Sequence, residues 1–188
     1  MSPFSRELLD FWFGPAPHSS RAEWFRKDPA FDATIGARFG GALEAALAGA
    51  TPPPDGDVFD SLAHVVLLDQ FTRNAFRDTP RAFAGDALAL ATAIAVVDAG
   101  RDSLLDRFER LFLYLPFEHS EDLAMQERAL ALFRRLDSEA ADIGQLEWAE
   151  KHAAIIRRFG RYPHRNAILG RESTPAEIAF LKEQGSRF

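Results

Sequence analysis

The chain contains no cysteine, and this absence excludes several kinds of chemistry at once. It has no disulfide framework, no thiolate nucleophile and no metal site with sulfur ligands. Long apolar runs are absent as well, since the longest, from Ala87 to Val97, is much shorter than the ~20 residues that cross a membrane. The first residues lack the apolar core of a signal peptide. We therefore expect a cytoplasmic protein without a membrane partner.

The chain also lacks an excess of positive charge. Its 188 residues carry 22 Lys and Arg against 28 Asp and Glu, a formal net charge of −6. Nucleic-acid-binding domains usually have a net basic charge or a basic stripe, so we expect no nucleic-acid partner. The apolar share of 47% is that of an ordinary globular protein, and a chain of this length can bury one sizeable core. We expect a single domain over residues 1–188.

No segment shows the pattern of a β-strand, in which polar and apolar residues alternate between hairpin turns. Apolar residues recur instead at helical spacing along most of the chain. Phe31, Ile35 and Phe39 are an example, and Asp28 followed by Pro29 is a suitable start for their helix. Short connections favour antiparallel neighbours. We predict an all-α protein of about eight helices, arranged as stacked helical hairpins.

One segment of this acidic chain is strongly basic. Residues 151–171 contain six Lys and Arg and no Asp or Glu. Arg offers a planar fork of donors that suits carboxylate and phosphate groups. From this segment we select Arg161, His164 and Arg165 as ligand-binding candidates. The alternative is that these cations pair with acids on neighbouring helices.

A second set of candidates lies on the polar face of a helix predicted over residues 57–77. Asp69, Gln70, Arg73 and Asn74 form one continuous stripe opposite the apolar face. An amphipathic helix produces such a stripe without any function, so a solvated face is the alternative. Gln and Asn are less usual than Lys and Glu on a purely solvating face. We therefore include these four residues in the candidate site.

The segment from Tyr114 to Glu121 supplies the third set. The preceding helix is predicted to end at Pro116, which would place His119 and Glu121 in a loop. A histidine close to carboxylates can act as a general base or as a metal ligand. The histidines are scattered without a metal-binding spacing, so we predict no metal and no cofactor. His119 and His164 are the catalytic candidates, and a histidine that binds a helix end is the alternative.

Taken together, these segments resemble a bacterial family of uncharacterised proteins, catalogued as domain of unknown function 924. The resemblance covers nearly the whole chain. It implies a tetratricopeptide-like helical fold, although no repeat is recognisable in this sequence, and it implies no activity. The segments that carry it are Asp10-Phe11-Trp12-Phe13-Gly14, Trp24-Phe25, Asp69 to Asn74, Tyr114 to Glu121, Arg158 to Asn166 and Leu169 to Thr174.

Three functions are open at this point, and the oligomeric state is unknown. The first is an Arg- and His-rich pocket for an anionic small molecule or an acidic peptide end, in which Asp69 and Glu121 orient the Arg side chains. The second is a hydrolase for a phosphorylated or carboxylated metabolite, with His119 or His164 as the base. The third is a scaffold or protein-interaction module whose polar segments form a structural network of salt bridges.

Overall fold

The computed structural model describes residues 1–50, 56–139 and 144–186. Within these ranges all regular structure is helical, which confirms the all-α prediction. The α-helices are α1 (Pro3–Phe13), α2 (Pro29–Leu47), α3 (Val58–Val65), α4 (Thr72–Ala75), α5 (Asp86–Asp98), α6 (Arg107–His119), α7 (Leu123–Glu139), α8 (Gln145–Phe159) and α9 (Pro175–Phe180). A π-helical segment, Val66–Phe71, joins α3 to α4, so the described chain has about eight separate helices, as predicted. Below, Val66–Phe71 is called the π segment.

Two of the helices begin at local sequence signals. Asp28 accepts hydrogen bonds from the backbone N–H groups of Ala30 and Phe31 at the start of α2. Thr174 and Glu177 form a capping box at the start of α9, in which each side chain binds the backbone of the other. These starts depend on residues close together in the chain, which is why the sequence predicts them.

Helix α6 ends later than the sequence predicts. Pro116 lies inside the helix, which continues to His119. A proline removes one backbone hydrogen bond and usually ends or bends a helix. Here the flanking Leu115 and Phe117 are both buried, so tertiary packing holds the last turn in place. As a result, Glu118 and His119 are presented by the end of a helix and not by a loop.

Helix α6 is the central element of the fold. It contacts α3, α5, α7 and α8, and most of its residues are buried. Aromatic rings fill the core beside it, with Trp12 5.3 Å from Phe112 and 5.5 Å from Phe71 between ring centroids. Successive helices from α5 to α8 contact one another, as helical hairpins require. A tetratricopeptide-like superhelix stays a prediction.

One stretch of the described chain, Pro80–Asp98, is apolar and long enough to cross a membrane by length and composition alone. It contains α5, which packs against α3 and α6. The core helix of a soluble protein meets the same criterion, and 33% of the most apolar window is buried inside this protein. A single such stretch is weak evidence for a membrane span.

Candidate functional site

A cavity of about 670 Å³ opens where four parts of the chain meet. Residues 23–27 form one wall, and the π segment with α4 forms the second. The C-terminal end of α6 and the first turns of α8 form the rest of the cavity wall. Pockets for small molecules usually have volumes of about 300–1,000 Å³, so this cavity has the size of a ligand site.

Asp69 and His119 form a hydrogen-bonded pair at this cavity. The Oδ1 atom of Asp69 lies 2.7 Å from the Nδ1 atom of His119. Asp69 is completely buried, whereas the His119 side chain lines the cavity. The pair therefore connects a buried carboxylate to a ring that a ligand can reach.

The surroundings of this pair determine its protonation. Burial alone raises the pKa of Asp69, but attraction to the protonated form of His119, the charge of Arg73 and the hydrogen bonds to His119 and Gln70 lower it to about 2. Burial and the charge of Arg73 lower the pKa of His119, although Asp69 opposes them. At neutral pH Asp69 is ionised and His119 is neutral, so the Nδ1–H group of His119 donates to Asp69. The Nε2 atom is then the acceptor nitrogen of the ring.

Asp69 and Gln70 belong to the π segment and are buried. All six residues of the segment are buried, including these two polar ones. The Nε2 group of Gln70 donates to the Oδ2 atom of Asp69 at 2.5 Å. Single π-helical turns within α-helices are frequent at functional sites. The polar stripe predicted from the sequence is therefore partly internal and is not a solvated face.

Arg73 lies between two acids beside the cavity. Its Nη1 and Nη2 groups donate to the two carboxylate oxygens of Asp86 at 2.8 and 3.1 Å. Nη1 also donates to the backbone carbonyl of Asp69 at 2.5 Å and lies 3.4 Å from its carboxylate. The Nη1 group of Arg165, which does not line the cavity, donates to the Oδ2 atom of the same Asp86 carboxylate at 3.4 Å. These contacts hold the Arg73 guanidinium in one position at the wall.

A second ion pair fixes the other end of α4. Asp32 accepts two hydrogen bonds from Arg77, at 2.9 and 3.0 Å, and one from the Nδ2 group of Asn74 at 2.7 Å. The amide nitrogens of Asn74 and Gln70 are thus used inside the protein, and both side chains line the cavity. The amide oxygens of these two residues accept no hydrogen bond from the described part of the chain.

The wall formed by α6 and α8 holds a second pair of titratable groups, Glu118 and His152. The Oε1 atom of Glu118 lies 3.3 Å from the Nδ1 atom of His152, and both carboxylate oxygens lie 3.2 Å from the Nε2 group of Gln145. Burial raises the pKa of Glu118 to about 8 and lowers that of His152 to about 3. Both groups are therefore uncharged at neutral pH.

Exposed aromatic side chains lie at the cavity. Phe25 is 64% exposed and Trp148 is 48% exposed, although side chains of this type are usually mostly buried. Deeper in the cavity, Trp24, Phe112 and Leu115 provide further apolar wall. A ligand with an apolar ring or chain would cover this surface.

Cationic side chains outnumber acidic ones in the lining of the cavity. Four cationic residues line it, and the only acids among the described lining residues are Glu23 and the uncharged Glu118. The cationic residues are Arg26, Lys27, Arg73 and Arg77. Acids just outside the lining pair with three of these cations: Asp86 with Arg73, Asp32 with Arg77 and Asp78 with Lys27.

The nine ligand-binding candidates predicted from the sequence do not all lie at this cavity. Gln70, Arg73, Asn74 and His119 line it. Asp69 binds His119 and Arg165 binds Asp86, but neither Asp69 nor Arg165 is among the described residues that line the cavity. Arg165 also packs on the Phe83 and Tyr162 rings, 4.7 and 4.5 Å from their centroids.

The remaining three candidates lie outside the cavity lining. Glu121 binds Arg171 with both carboxylate oxygens, at 2.6 and 2.9 Å. Arg161 likewise donates from Nε and Nη2 to the two carboxylate oxygens of Glu177, at 2.6 and 2.8 Å. His164 is not among the described residues that line the cavity, and its ring centroid lies 5.5 Å from that of Tyr162.

Sequence reasoning missed several residues at the cavity. Trp24-Phe25 lie in a segment that carries the family resemblance, and that was the only signal for them. Glu118 had a second signal, because it is one of the two carboxylates close to His119 in the sequence. Trp148 lies four residues before His152, a spacing that indicates a buried helical face, so its exposure had no signal in the sequence.

Comparison with known proteins gives a family but no activity. A family model described as "Bacterial protein of unknown function (DUF924)" matches residues 8–185. Among solved structures, the chain is similar to the "Protein of Unknown Function ATU0120" from Agrobacterium tumefaciens, with 41% identity and a TM-score of 0.83. That match covers 95% of this chain and 97% of the other. A comparison with curated proteins finds no match. The chain therefore belongs to the bacterial family DUF924, as its resemblance predicted.

Proposed function

We propose that the cavity binds a small molecule that carries an anionic group on an apolar body. The observation that supports this most is the combination of exposed aromatic side chains with four cationic side chains around one concave space. Neither feature follows from the composition of the chain, which is acidic overall.

Arg73 and Arg77 have donors to spare although both are paired. A guanidinium carries five N–H donors. The contacts described above use three of them in Arg73 and two in Arg77. Asp86 and Asp32 thus orient the two groups and leave donors for a ligand. Each charge-assisted hydrogen bond to such a ligand contributes about 1.5–3 kcal/mol.

The other features of the cavity favour a small ligand over a long peptide. Trp24, Phe112 and Leu115 suit an aromatic or aliphatic group. The amide oxygens of Gln70 and Asn74 suit a hydroxyl or amine donor, because their amide nitrogens are already used. An acidic peptide end would use the same cations and is an outcome that the experiment distinguishes.

A thermal-shift screen tests this function. The panel contains aromatic carboxylates, dicarboxylates, phosphorylated metabolites and short acidic peptides. A ligand at 100 times its Kd stabilises the protein by ~2.7 kcal/mol, which corresponds to a rise in Tm of about 5–11 °C for a domain of this size.

Two variants make the screen specific. The double variant Arg26→Gln/Lys27→Gln removes charge from the cavity, so we expect calorimetry to show weaker binding. Arg128→Gln removes a surface cation that pairs with Asp98 outside the cavity, and binding should not change. A response to peptides alone would assign a peptide end as the ligand. A flat response across the panel would contradict the proposed function.

A further inference from the structure

We propose that the cavity is a hydrolytic active site in which His119, oriented by Asp69, acts as the general base towards water. The inference rests on the proposed binding of an anionic ligand and adds a reaction to it. The substrate class is a carboxylic ester that carries a further anionic group.

The geometry of the Asp69–His119 pair supports this role. The Oδ1 atom of Asp69 accepts from the Nδ1–H group of His119 at 2.7 Å, and its Oδ2 atom accepts from Gln70 at 2.5 Å. The carboxylate therefore cannot turn away from the ring. This arrangement keeps the proton on Nδ1 and leaves the Nε2 lone pair as the base, as in other sites where a buried carboxylate orients a histidine.

The position of His119 distinguishes it from a histidine that only ties two helices together. Asp69 is fully buried, but the His119 side chain remains 15% exposed and lines the cavity. His18 offers a comparison within the same chain. Its Nδ1 atom lies 2.6 Å from Asp106 and its side chain is 14% exposed, so the difference is that His18 is not among the residues that line the cavity.

The charged and titratable groups around His119 keep it neutral. Asp69 and Arg73 face it from the second cavity wall, Asp86 acts on it from α5, and Glu118 and His152 are nearby. Burial and Arg73 lower the pKa of His119, while the two aspartates oppose them. Because a general base must be unprotonated, the lowered pKa keeps it ready at neutral pH.

The cavity lining points to water as the nucleophile. Among the described residues that line the cavity there is no Ser, Thr, Tyr or Cys. In the proposed step, the oxygen of a water molecule attacks the ester carbonyl carbon while the Nε2 atom of His119 takes one proton. The bond to the alcohol oxygen then breaks, and the alcohol leaves with the proton that His119 returns. One ester and one water become one carboxylic acid and one alcohol. In this proposal Arg73, at the same cavity wall, binds the carboxylic acid product in its ionised form.

The first experiment measures hydrolysis of p-nitrophenyl acetate and of the mono-p-nitrophenyl ester of terephthalic acid, whose free carboxylate cannot reach its own ester carbonyl. His119→Gln can keep a hydrogen bond to Asp69, and we expect it to lower the rate by at least about 100-fold, since general-base catalysis contributes ~10²–10⁴-fold. His119→Ala should regain part of the rate when imidazole is added, beyond the rate that the same imidazole gives in buffer without protein. His18→Ala, the matched control, should retain the wild-type rate.

Two results of this experiment would overturn the proposal. One is a wild-type rate no higher than that of buffer with both esters. The other is an unchanged rate in His119→Gln. A thermal-shift response to anions that persists in His119→Gln would show that the binding function holds even where the hydrolytic one fails.

The second experiment needs no variant and no substrate. Diethyl pyrocarbonate modifies neutral, accessible histidine, and mass spectrometry of the peptides locates the modification. We expect His119 to react at pH 7, and its rate to fall only below the ordinary pKa of histidine, about 6.5. If His18 is modified and His119 is not, the proposed base is inaccessible and the proposal is wrong.

Asp69 is assigned as the positioning residue, and its role has a separate readout. Asp69→Asn should lower kcat of the ester reaction with little change in KM, and should shift the pH profile of the rate, because the amide no longer fixes the proton on Nδ1. A change in thermal stability with an unchanged pH profile would show that Asp69 is structural only.

Discussion

The backbone carbonyl of Leu68 lies directly against the Cα atom of Gly85: a Cβ atom added at Gly85 would come within 2.2 Å of that oxygen. Leu68 belongs to the π segment, which also contains Asp69. Gly85 immediately precedes α5, whose first residue, Asp86, holds Arg73. The missing side chain at position 85 therefore lets α5 approach closely enough for Asp86 to reach the cavity wall.

We expect Gly85→Ala to lower the free energy of unfolding by ~1–3 kcal/mol, because the neighbouring atom is backbone and cannot move aside easily. Urea unfolding measures the change. Gly41→Ala is the matched control, since Gly41 is exposed on α2 and no atom lies within 4 Å of its added Cβ. That change should stabilise the protein by ~0.5–1 kcal/mol, because Ala favours helix more than Gly does. Equal stability of Gly85→Ala and the wild type would contradict the close approach.

Arg73→Met separates the network around Asp69 from ordinary surface ion pairs. Asp69 is completely buried, so the loss of its cation should cost ~3–5 kcal/mol of stability. Arg81→Met removes an ion pair with Glu44 in which both side chains are at least half exposed, and should cost less than ~1 kcal/mol. Chemical denaturation of both variants checks this. Similar losses in both would show that the Arg73 pairs add no more than a surface contact.

Glu118→Gln should change how stability depends on pH. The pKa of Glu118 is about 8 in the folded protein, against an ordinary value of 4.5. The folded state therefore holds its proton more tightly than the unfolded state, and the wild type loses stability as the pH rises from about 4.5 to about 8. The variant lacks this loss. Relative to the wild type, it should be most stabilised at pH 9 and least at pH 5.

Urea unfolding at pH 5, 7 and 9 measures this difference. Glu7→Gln, a change on an exposed side chain of α1, serves as the control, and its curve should run parallel to that of the wild type. If the Glu118→Gln curve also runs parallel, Glu118 is ionised in the folded protein at neutral pH.

The exposure of Trp148 gives a fluorescence signal for the cavity. Trp148 is accessible to iodide, whereas Trp12 is buried. Iodide quenching should fall strongly in Trp148→Phe and much less in Trp24→Phe. A ligand found in the thermal-shift screen should protect Trp148 from quenching. Equal quenching slopes in the two variants would place Trp148 away from solvent.

Part of the candidate site was predictable because one helix carries it. Gln70, Arg73 and Asn74 lie within a few residues of each other, so any helical conformation keeps them together. The partners of the basic segment, residues 151–171, were not predictable in this way. Arg161 meets Glu177, and Glu121 meets Arg171, because the packing of distant segments decides which acid each cation reaches.

The sequence by itself determined the all-α class, the family and helix starts such as those at Asp28 and Thr174, since caps and helical periodicity involve residues close in the chain. Only the tertiary structure decided that α6 continues beyond Pro116 and that Asp69 is buried within a π segment. Burial against neighbouring helices outweighs local preference at both places. That packing brings Asp69 to His119, fifty residues away in the chain, and so forms the candidate site.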